Sequence, residues 1–135
     1  MHCRPHSIFL AMSGGIDSGV AAALLKEQGH KVHGSFMKHP YQRGKEDASD
    51  AARIAEYLGI DFDVLDVSEA FENVVEHFTD EYFCGRTPNP CVYCNRTIKF
   101  GMLFEHAHKI GAEGFATGHY VRRGEVDGFP ALCMY

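Results

Sequence analysis

A short glycine-rich segment, Ser13-Gly14-Gly15-Ile16-Asp17-Ser18, stands between an apolar run and a helical pattern. The apolar run before it, from Ser7 to Met12, has the length and composition of a buried strand. After it, from Asp17 to Gln28, apolar residues recur at the spacing of a helix face, at Val20, Ala21, Leu24 and Leu25. The sequence therefore predicts a strand, a tight turn and a helix, in that order.

The same alternation continues along the chain. Further strands are predicted at Lys31–Met37, Asp61–Val67 and Gly114–Thr117, and further helices at Asp47–Leu58, from Ser68 onward, and at Thr97–Ile110. The segment Cys84–Arg96 contains Gly85, Pro88 and Pro90, so we expect it to lie outside helices and strands. The tail around Asp127-Gly128 is typical of a hairpin.

Strands that alternate with helices predict an α/β fold, a parallel twisted sheet with helices on both faces. Ligands of such sheets bind at the carboxyl ends of the strands, near the point where the strand order reverses. The glycine-rich segment, the Met37-Lys38 end of the second strand and the Gly118-His119 end of the fourth all belong to that edge. We therefore expect the functional site there.

Length and composition indicate a single domain over residues 1–135. The formal net charge of −5 excludes the global basic field that drives non-specific binding to nucleic acids. No apolar run reaches the roughly 18–20 residues that cross a bilayer, and the first residues lack the apolar core of a signal peptide. We expect a cytoplasmic protein without a membrane partner, in which clustered thiols are catalytic or metal-binding.

The glycine-rich segment has the properties of a phosphate site. Its glycines let a ligand approach the backbone, and the following helix offers free N–H groups and the positive end of its dipole. Asp17 would repel phosphate unless it holds Mg²⁺ or caps the helix; an ordinary tight turn with an Asp cap is the alternative. The segment is neither a Walker A motif nor G-x-G-x-x-G. It is similar to the S-G-G-x-D-S signature of the PP-loop, or N-type ATP pyrophosphatase, superfamily.

A second segment narrows this resemblance. Thr87-Pro88-Asn89-Pro90-Cys91-Val92-Tyr93-Cys94-Asn95-Arg96, followed by Ile98-Lys99-Phe100, resembles the tRNA-specific 2-thiouridylases. Ala116-Thr117-Gly118-His119-Tyr120 and Phe36-Met37-Lys38 resemble the same family and occur in the family's order. The resemblance covers about Ser7 to Arg123. It implies an enzyme that uses ATP to adenylate the C2 oxygen of the wobble uridine in tRNA and then inserts sulfur to give 2-thiouridine.

The resemblance also implies roles for individual residues. ATP, with Mg²⁺, would be held by Ala11, Met12, Ser13, Gly14, Gly15, Ile16, Asp17, Ser18, Met37, Gly118 and His119. The target base would contact Asn89, Pro90 and Cys91, with Lys99 as a further substrate-binding residue. Cys94 occupies the position of a catalytic thiol, and Cys91 and Asp17 complete the expected catalytic set. The implied partners are tRNA and a protein that delivers sulfur as a persulfide.

The chain departs from the family pattern at Cys91, where many members carry Asp. The resulting Cys91-x-x-Cys94 pair is compatible with a redox dithiol, half a zinc site or two ligands of a [4Fe–4S] cluster. Completing a metal site would require Cys84 or Cys133, which we expect to be incidental or buried thiols. Histidines at helical positions, such as His77, His106 and His108, are expected at the surface or hydrogen-bonded in the core.

The second departure is the end of the sequence. The family's downstream catalytic cysteine, tRNA-binding region and β-barrel would lie beyond Tyr135, so we expect a truncated version. A local RNA patch is expected from Lys38, Arg86, Arg96, Lys99, Arg122 and Arg123, although each is equally typical of a solvated surface charge. Two alternatives stay open: another adenylating PP-loop synthetase, and a non-catalytic fragment that binds nucleotide or metal.

Overall fold

In a computed structural model, which describes residues 6–41 and 48–133, four parallel strands form one twisted sheet in the order β3-β2-β1-β4. They are β1 (Ser7–Met12), β2 (Lys31–Lys38), β3 (Asp61–Asp66) and β4 (Gly114–Thr117). The helices are α1 (Ile16–Glu27), α2 (Ala48–Leu58), α3 (Ser68–Phe83), α4 (Pro90–Cys94) and α5 (Leu103–Lys109), with a π-helical segment, Asn95–Met102, between the last two. The predicted fold class is confirmed.

The side chains of β1 point alternately to the two faces of the sheet, so the core has two layers. Leu10 and Met12 point to the face covered by α1 and α2, where they pack with Val32, Phe36 and Ala51. Phe9 points to the opposite face and packs against Leu103 and Ala107 of α5. Buried side chains on both faces of one strand explain why its sequence is apolar throughout rather than alternating.

Helix α1 corrects one prediction. Of its predicted core residues, Ala21 and Leu25 pack against the core, but Val20 and Leu24 are half exposed. The fully buried side chain is instead that of Ala22. A small residue at the contact lets the helix approach the sheet closely, so the larger side chains on either side of it reach toward solvent.

The helix predicted from Thr97 begins at Pro90 instead. Proline is well placed at the first helical position, where its missing N–H would have no partner and its fixed φ suits the helix. The side-chain oxygen of Asn89 accepts a hydrogen bond from the backbone N–H of Val92 at 3.3 Å and so caps the new helix. The prediction that Cys84–Arg96 lies outside helices is therefore wrong from Pro90 onward.

The last two strands form a separate antiparallel hairpin, β5 (Arg122–Val126) and β6 (Phe129–Cys133), as predicted. Asp127 and Gly128 make the turn, both with positive φ. The predicted start of α2 at Asp47 lies outside the described residues, as do Cys3 and the side chain of Cys133. No helix in the described ranges is long and apolar enough to cross a membrane.

A hydrogen-bonded cluster joins β2, β3 and α5 on the face opposite α1. Asp63 Oδ2 lies 3.0 Å from His33 Nε2 and 2.9 Å from His106 Nε2. Burial raises the pKa of the Asp63 carboxyl, but the neighbouring Ser35 hydroxyl and the hydrogen bonds of His106 and His33 outweigh it and hold that pKa below its usual value. His106 is thus a hydrogen-bonded histidine of the core, in line with expectation.

Candidate nucleotide site and cysteine helix

The candidate site lies where the strand order of the sheet reverses. The chain runs from β1 outward to β2 and β3, then returns to the other side of β1 as β4. The carboxyl ends of β1 and β4 therefore lie side by side with their following segments diverging, which leaves a crevice between them. A cavity of about 570 Å³ opens there, within the range of small-ligand sites.

The glycine-rich segment forms one wall of this cavity. The backbone of Gly14 has a φ of +80°, a conformation that favours glycine, and Gly15 is the N-cap residue of α1. The hydroxyl of Ser18 accepts a hydrogen bond from the backbone N–H of Ser13 at 3.2 Å and lies 3.3 Å from the backbone oxygen of Gly15. These bonds fold the segment back on the first turn of α1, and a helix start of this kind offers backbone N–H groups to a phosphate.

The segment after β4 forms the opposite wall and lies against the first. A Cβ added at Gly118 would stand 3.1 Å from the backbone nitrogen of Ser18, so a larger residue would have to push the two walls slightly apart. Beyond it, the Tyr120 hydroxyl donates a hydrogen bond to Asp17 Oδ1 at 2.6 Å. That bond and the charge of Asp17 raise the pKa of the Tyr120 phenol.

Of the eleven residues expected to bind the nucleotide, the structure brings ten together around the cavity: Ala11, Met12, Ser13, Gly14, Gly15, Asp17, Ser18, Met37, Gly118 and His119. The exception is Ile16, whose side chain is 83% exposed and lines a separate, shallower cleft between α1 and α2. Sequence reasoning did not include six other lining residues, namely Ser35, Phe36, His39, Asp50, Leu103 and Thr117. Ser35, Phe36 and Thr117 are next to predicted residues in the sequence or one residue further along, and this proximity could have identified them as lining residues.

His119 faces the cavity mouth and is held by its neighbour. Its Nδ1 lies 2.8 Å from the hydroxyl of Thr117. Partial burial lowers the pKa of His119, and the positive charge of Lys99 lowers it further. Because Nδ1 is engaged by Thr117, Nε2 is the ring nitrogen of a neutral imidazole that can donate to a ligand or accept from it.

The cysteine helix adjoins this cavity without lining it. Cys91 is exposed on α4, whereas Cys94 is 9% exposed and packs with Val67, Val74 and Ile98. Burial raises the pKa of the Cys94 thiol; Lys99 partly opposes this, and Cys91 adds to it. The thiol is therefore sheltered and protonated in this state, so its use as a nucleophile requires exposure or a closer positive charge.

The structure does not assemble a metal site from the cysteines. In the described part of the chain, no three His, Cys, Asp or Glu side chains are grouped so as to hold a metal ion. Cys84 is exposed near the end of α3, and a cluster requires more than the two thiols of Cys91 and Cys94. The described donors do not fit a [4Fe–4S] cluster.

Of the residues expected to bind the substrate, Lys99 lines the nucleotide cavity, and the three expected base contacts, Asn89, Pro90 and Cys91, do not. Those three lie at the exposed start of α4. Two residues of the expected RNA patch are paired with carboxylates. The Arg86 guanidinium donates hydrogen bonds to both carboxylate oxygens of Glu81, and Lys38 Nζ lies 3.9 Å from Asp66 Oδ2. The structure thus separates a nucleotide cavity from an exposed helix start, with Lys99 between them.

Comparison with known proteins places this site in context. A family model described as the tRNA methyl transferase HUP domain matches residues 6–132. The tRNA-specific 2-thiouridylase 1 of Caldanaerobacter subterraneus subsp. tengcongensis is 49% identical over 129 residues, a match that covers 86% of this chain and 35% of that protein. The tRNA-specific 2-thiouridylase of Syntrophotalea carbinolica is 50% identical over 132 residues, with 93% and 38% covered.

The chain is also similar in fold to solved structures. The NMN synthetase of Francisella tularensis superposes with a TM-score of 0.60 at 19% identity, over 82% of this chain and 44% of that one. At that identity the likeness concerns the fold alone. The chain spans little more than a third of the length of the two curated relatives.

Proposed function

The chain belongs to the tRNA methyl transferase HUP domain family, and from that membership we propose that it binds ATP and adenylates a wobble uridine of tRNA. The resemblance to tRNA-specific 2-thiouridylases is confirmed by the two relatives at about half identity. We propose that residues 1–135 act as one ATP-binding domain, and that sulfur insertion to give 2-thiouridine follows the adenylation.

The observation that carries the proposal is the cavity itself. It brings the Ser13–Ser18 segment, Met37 and Gly118 together at the reversal point of the sheet. The free N–H groups at the start of α1 suit a phosphate chain, and Met37 and Phe36 at the end of β2 suit an adenosine. The volume of about 570 Å³ holds a ligand of nucleotide size.

Adenylation converts a poor leaving group into a good one. The uridine O2 attacks the α-phosphorus of ATP, the bond to the β-phosphate oxygen breaks, and pyrophosphate leaves, while the N3 proton of the base is lost to solvent. Asp17 and Asp50, which both line the cavity, offer the carboxylate oxygens that Mg²⁺ prefers. When bound there, Mg²⁺ would neutralise charge on the departing pyrophosphate.

Sulfur insertion then replaces AMP. The terminal sulfur of a persulfide, supplied by a relay protein and carried on a second cysteine, attacks C2, and the C2–O bond to AMP breaks. The Cys94 thiolate attacks the inner sulfur, which frees the 2-thiouridine and leaves a disulfide that a cellular thiol must reduce. Cys94, the Cys91 neighbour and the Asn89-Pro90 turn are the residues we propose at this step.

Pyrophosphate release tests the proposal. The chain is mixed with ATP, Mg²⁺ and an unmodified tRNA that carries a wobble uridine, and pyrophosphate is measured against a matched tRNA with cytidine at that position. We expect release only with the uridine tRNA. ATP binding without release would favour a nucleotide-binding fragment, whereas release without tRNA, on addition of a carboxylate or carbonyl acceptor whose oxygen takes the AMP, would favour another adenylating synthetase.

A further inference from the structure

The π-helical segment decides where Lys99 points relative to Cys94. The two residues are five positions apart, and the segment Asn95–Met102 covers the interval between them. In an α-helix, with 3.6 residues per turn, side chains five positions apart point about 140° away from each other. A π-helix closes its hydrogen bonds between residues five apart, and its wider turn reduces the angle between such side chains to roughly 50°. The wider turn therefore directs Lys99 and Cys94 toward one side of the helix.

Lys99 is the charge that the cavity otherwise lacks. Among the described residues that line it, Lys99 is the one lysine or arginine, and the carboxylates of Asp17 and Asp50 line it as well. Mg²⁺ held by these carboxylates would oppose the charge of the departing pyrophosphate, and Lys99 adds a fixed positive charge from the protein itself. The positive charge of Lys99 lowers the pKa of His119 further and partly opposes the burial that raises the pKa of Cys94, so Lys99 is near enough to influence both side chains.

We propose that Lys99 is a further catalytic residue, whose ammonium group binds the α-phosphate of ATP and stays with that phosphate as AMP leaves. This inference rests on the proposed function. It assigns the π-helical segment a purpose, namely to bring one positive charge to the point where adenylation and sulfur attack meet. It also gives Lys99, which the resemblance implied as a substrate-binding residue, a phosphate ligand.

Nucleotide affinities measured on variants of the whole chain test the assignment. Lys99→Met removes the charge and keeps the length of the side chain, Lys99→Arg keeps the charge, and Lys109→Met is a matched control on the exposed end of α5. Dissociation constants for ATP and for adenosine are measured by calorimetry with Mg²⁺ present. We expect Lys99→Met to weaken ATP binding about tenfold, as for a lost hydrogen bond to a charged group. Lys99→Arg should stay within about threefold, and Lys109→Met should match wild type.

Adenosine distinguishes a phosphate contact from a structural role. Because adenosine has no phosphate, its affinity should be equal in all four proteins. Equal ATP affinity in wild type and Lys99→Met, or a parallel loss of adenosine and ATP affinity, would overturn the assignment of Lys99. A wild-type chain that binds neither ligand would instead refute the proposed function. Thermal unfolding is followed for each protein, and Lys99→Gln replaces Lys99→Met if the latter unfolds at a lower temperature.

Discussion

Replacing Gly118 by alanine tests the close approach between the two walls of the nucleotide cavity. The new Cβ would stand 3.1 Å from the backbone nitrogen of Ser18, 3.4 Å from its Cα and 3.5 Å from the carbonyl carbon of Asp17. All three are backbone atoms at the start of α1, so no side chain can rotate away. Overpacking of this kind costs about 1–3 kcal/mol.

The alternative to strain is separation of the walls. If the segment after β4 moves outward by a few tenths of an ångström, the Tyr120–Asp17 hydrogen bond lengthens and the cavity widens. Either response should weaken nucleotide binding, and strain should also lower the free energy of unfolding. We therefore expect Gly118→Ala to lower the urea midpoint, raise the dissociation constant for ATP, or do both.

Urea unfolding at 25 °C and calorimetric ATP titration measure the two effects. Gly114→Ala is the matched control, since its Cβ would meet only the Cδ1 end of the flexible Ile8 side chain. It tests alanine at the opposite end of β4, away from the cavity. A Gly118→Ala chain that unfolds at the wild-type midpoint and binds ATP with wild-type affinity would refute the reasoning from backbone contact.

Three further predictions concern single contacts. Gly19→Ala should raise the free energy of unfolding in urea by about 0.5–1 kcal/mol, because its Cβ would meet Ile54 at an ordinary 3.4 Å and alanine favours the helix; an unchanged or lower value would contradict this. Asp63→Asn should lower stability by about 1 kcal/mol at pH 7 through its weakened hydrogen bonds. Because the folded-state pKa of Asp63 is depressed, its contribution is present above the unfolded pKa near 4 and is lost as pH falls through the folded pKa. The difference between wild type and variant in urea melts should therefore shrink as pH falls below about 4; a constant gap would argue otherwise. Asp17→Asn should lower the pKa of Tyr120 toward its ordinary value, as followed by NMR of the labelled tyrosine ring; no change would mean that the hydrogen bond does not form in solution.

The sheet and its reversal point could be predicted because they depend on local patterns. Apolar runs of strand length and helices ended by glycines repeat along the chain, and a parallel sheet is the fold that accommodates them. The glycine-rich segment and Gly118 then fall on one edge by topology alone. For the same reason the lining residues next to a predicted one, such as Thr117, could have been inferred from sequence.

The other features depend on packing contacts, or on local conformations that one sequence pattern does not distinguish. Pro90 suits a helix start as well as a loop, so its presence could not separate the two. The apolar residues of the π-helical segment have spacings close to those of an α-helix. Over eight residues, the sequence pattern cannot distinguish the wider turn from an α-helix. The exposure of Val20 and Leu24 depends on how closely α1 approaches the sheet, which is a property of packing rather than of periodicity.

The pairing of β4 beside β1 has a consequence for the order in which the chain folds. Asp17 and Tyr120, which join the two walls of the cavity, are separated by 103 positions. During synthesis the chain emerges amino end first, so β1, β2 and β3 can pair long before β4 leaves the ribosome. The glycine-rich segment therefore stays exposed until β4 has been made. A nascent chain that stops short of β4 has only one wall of the cavity.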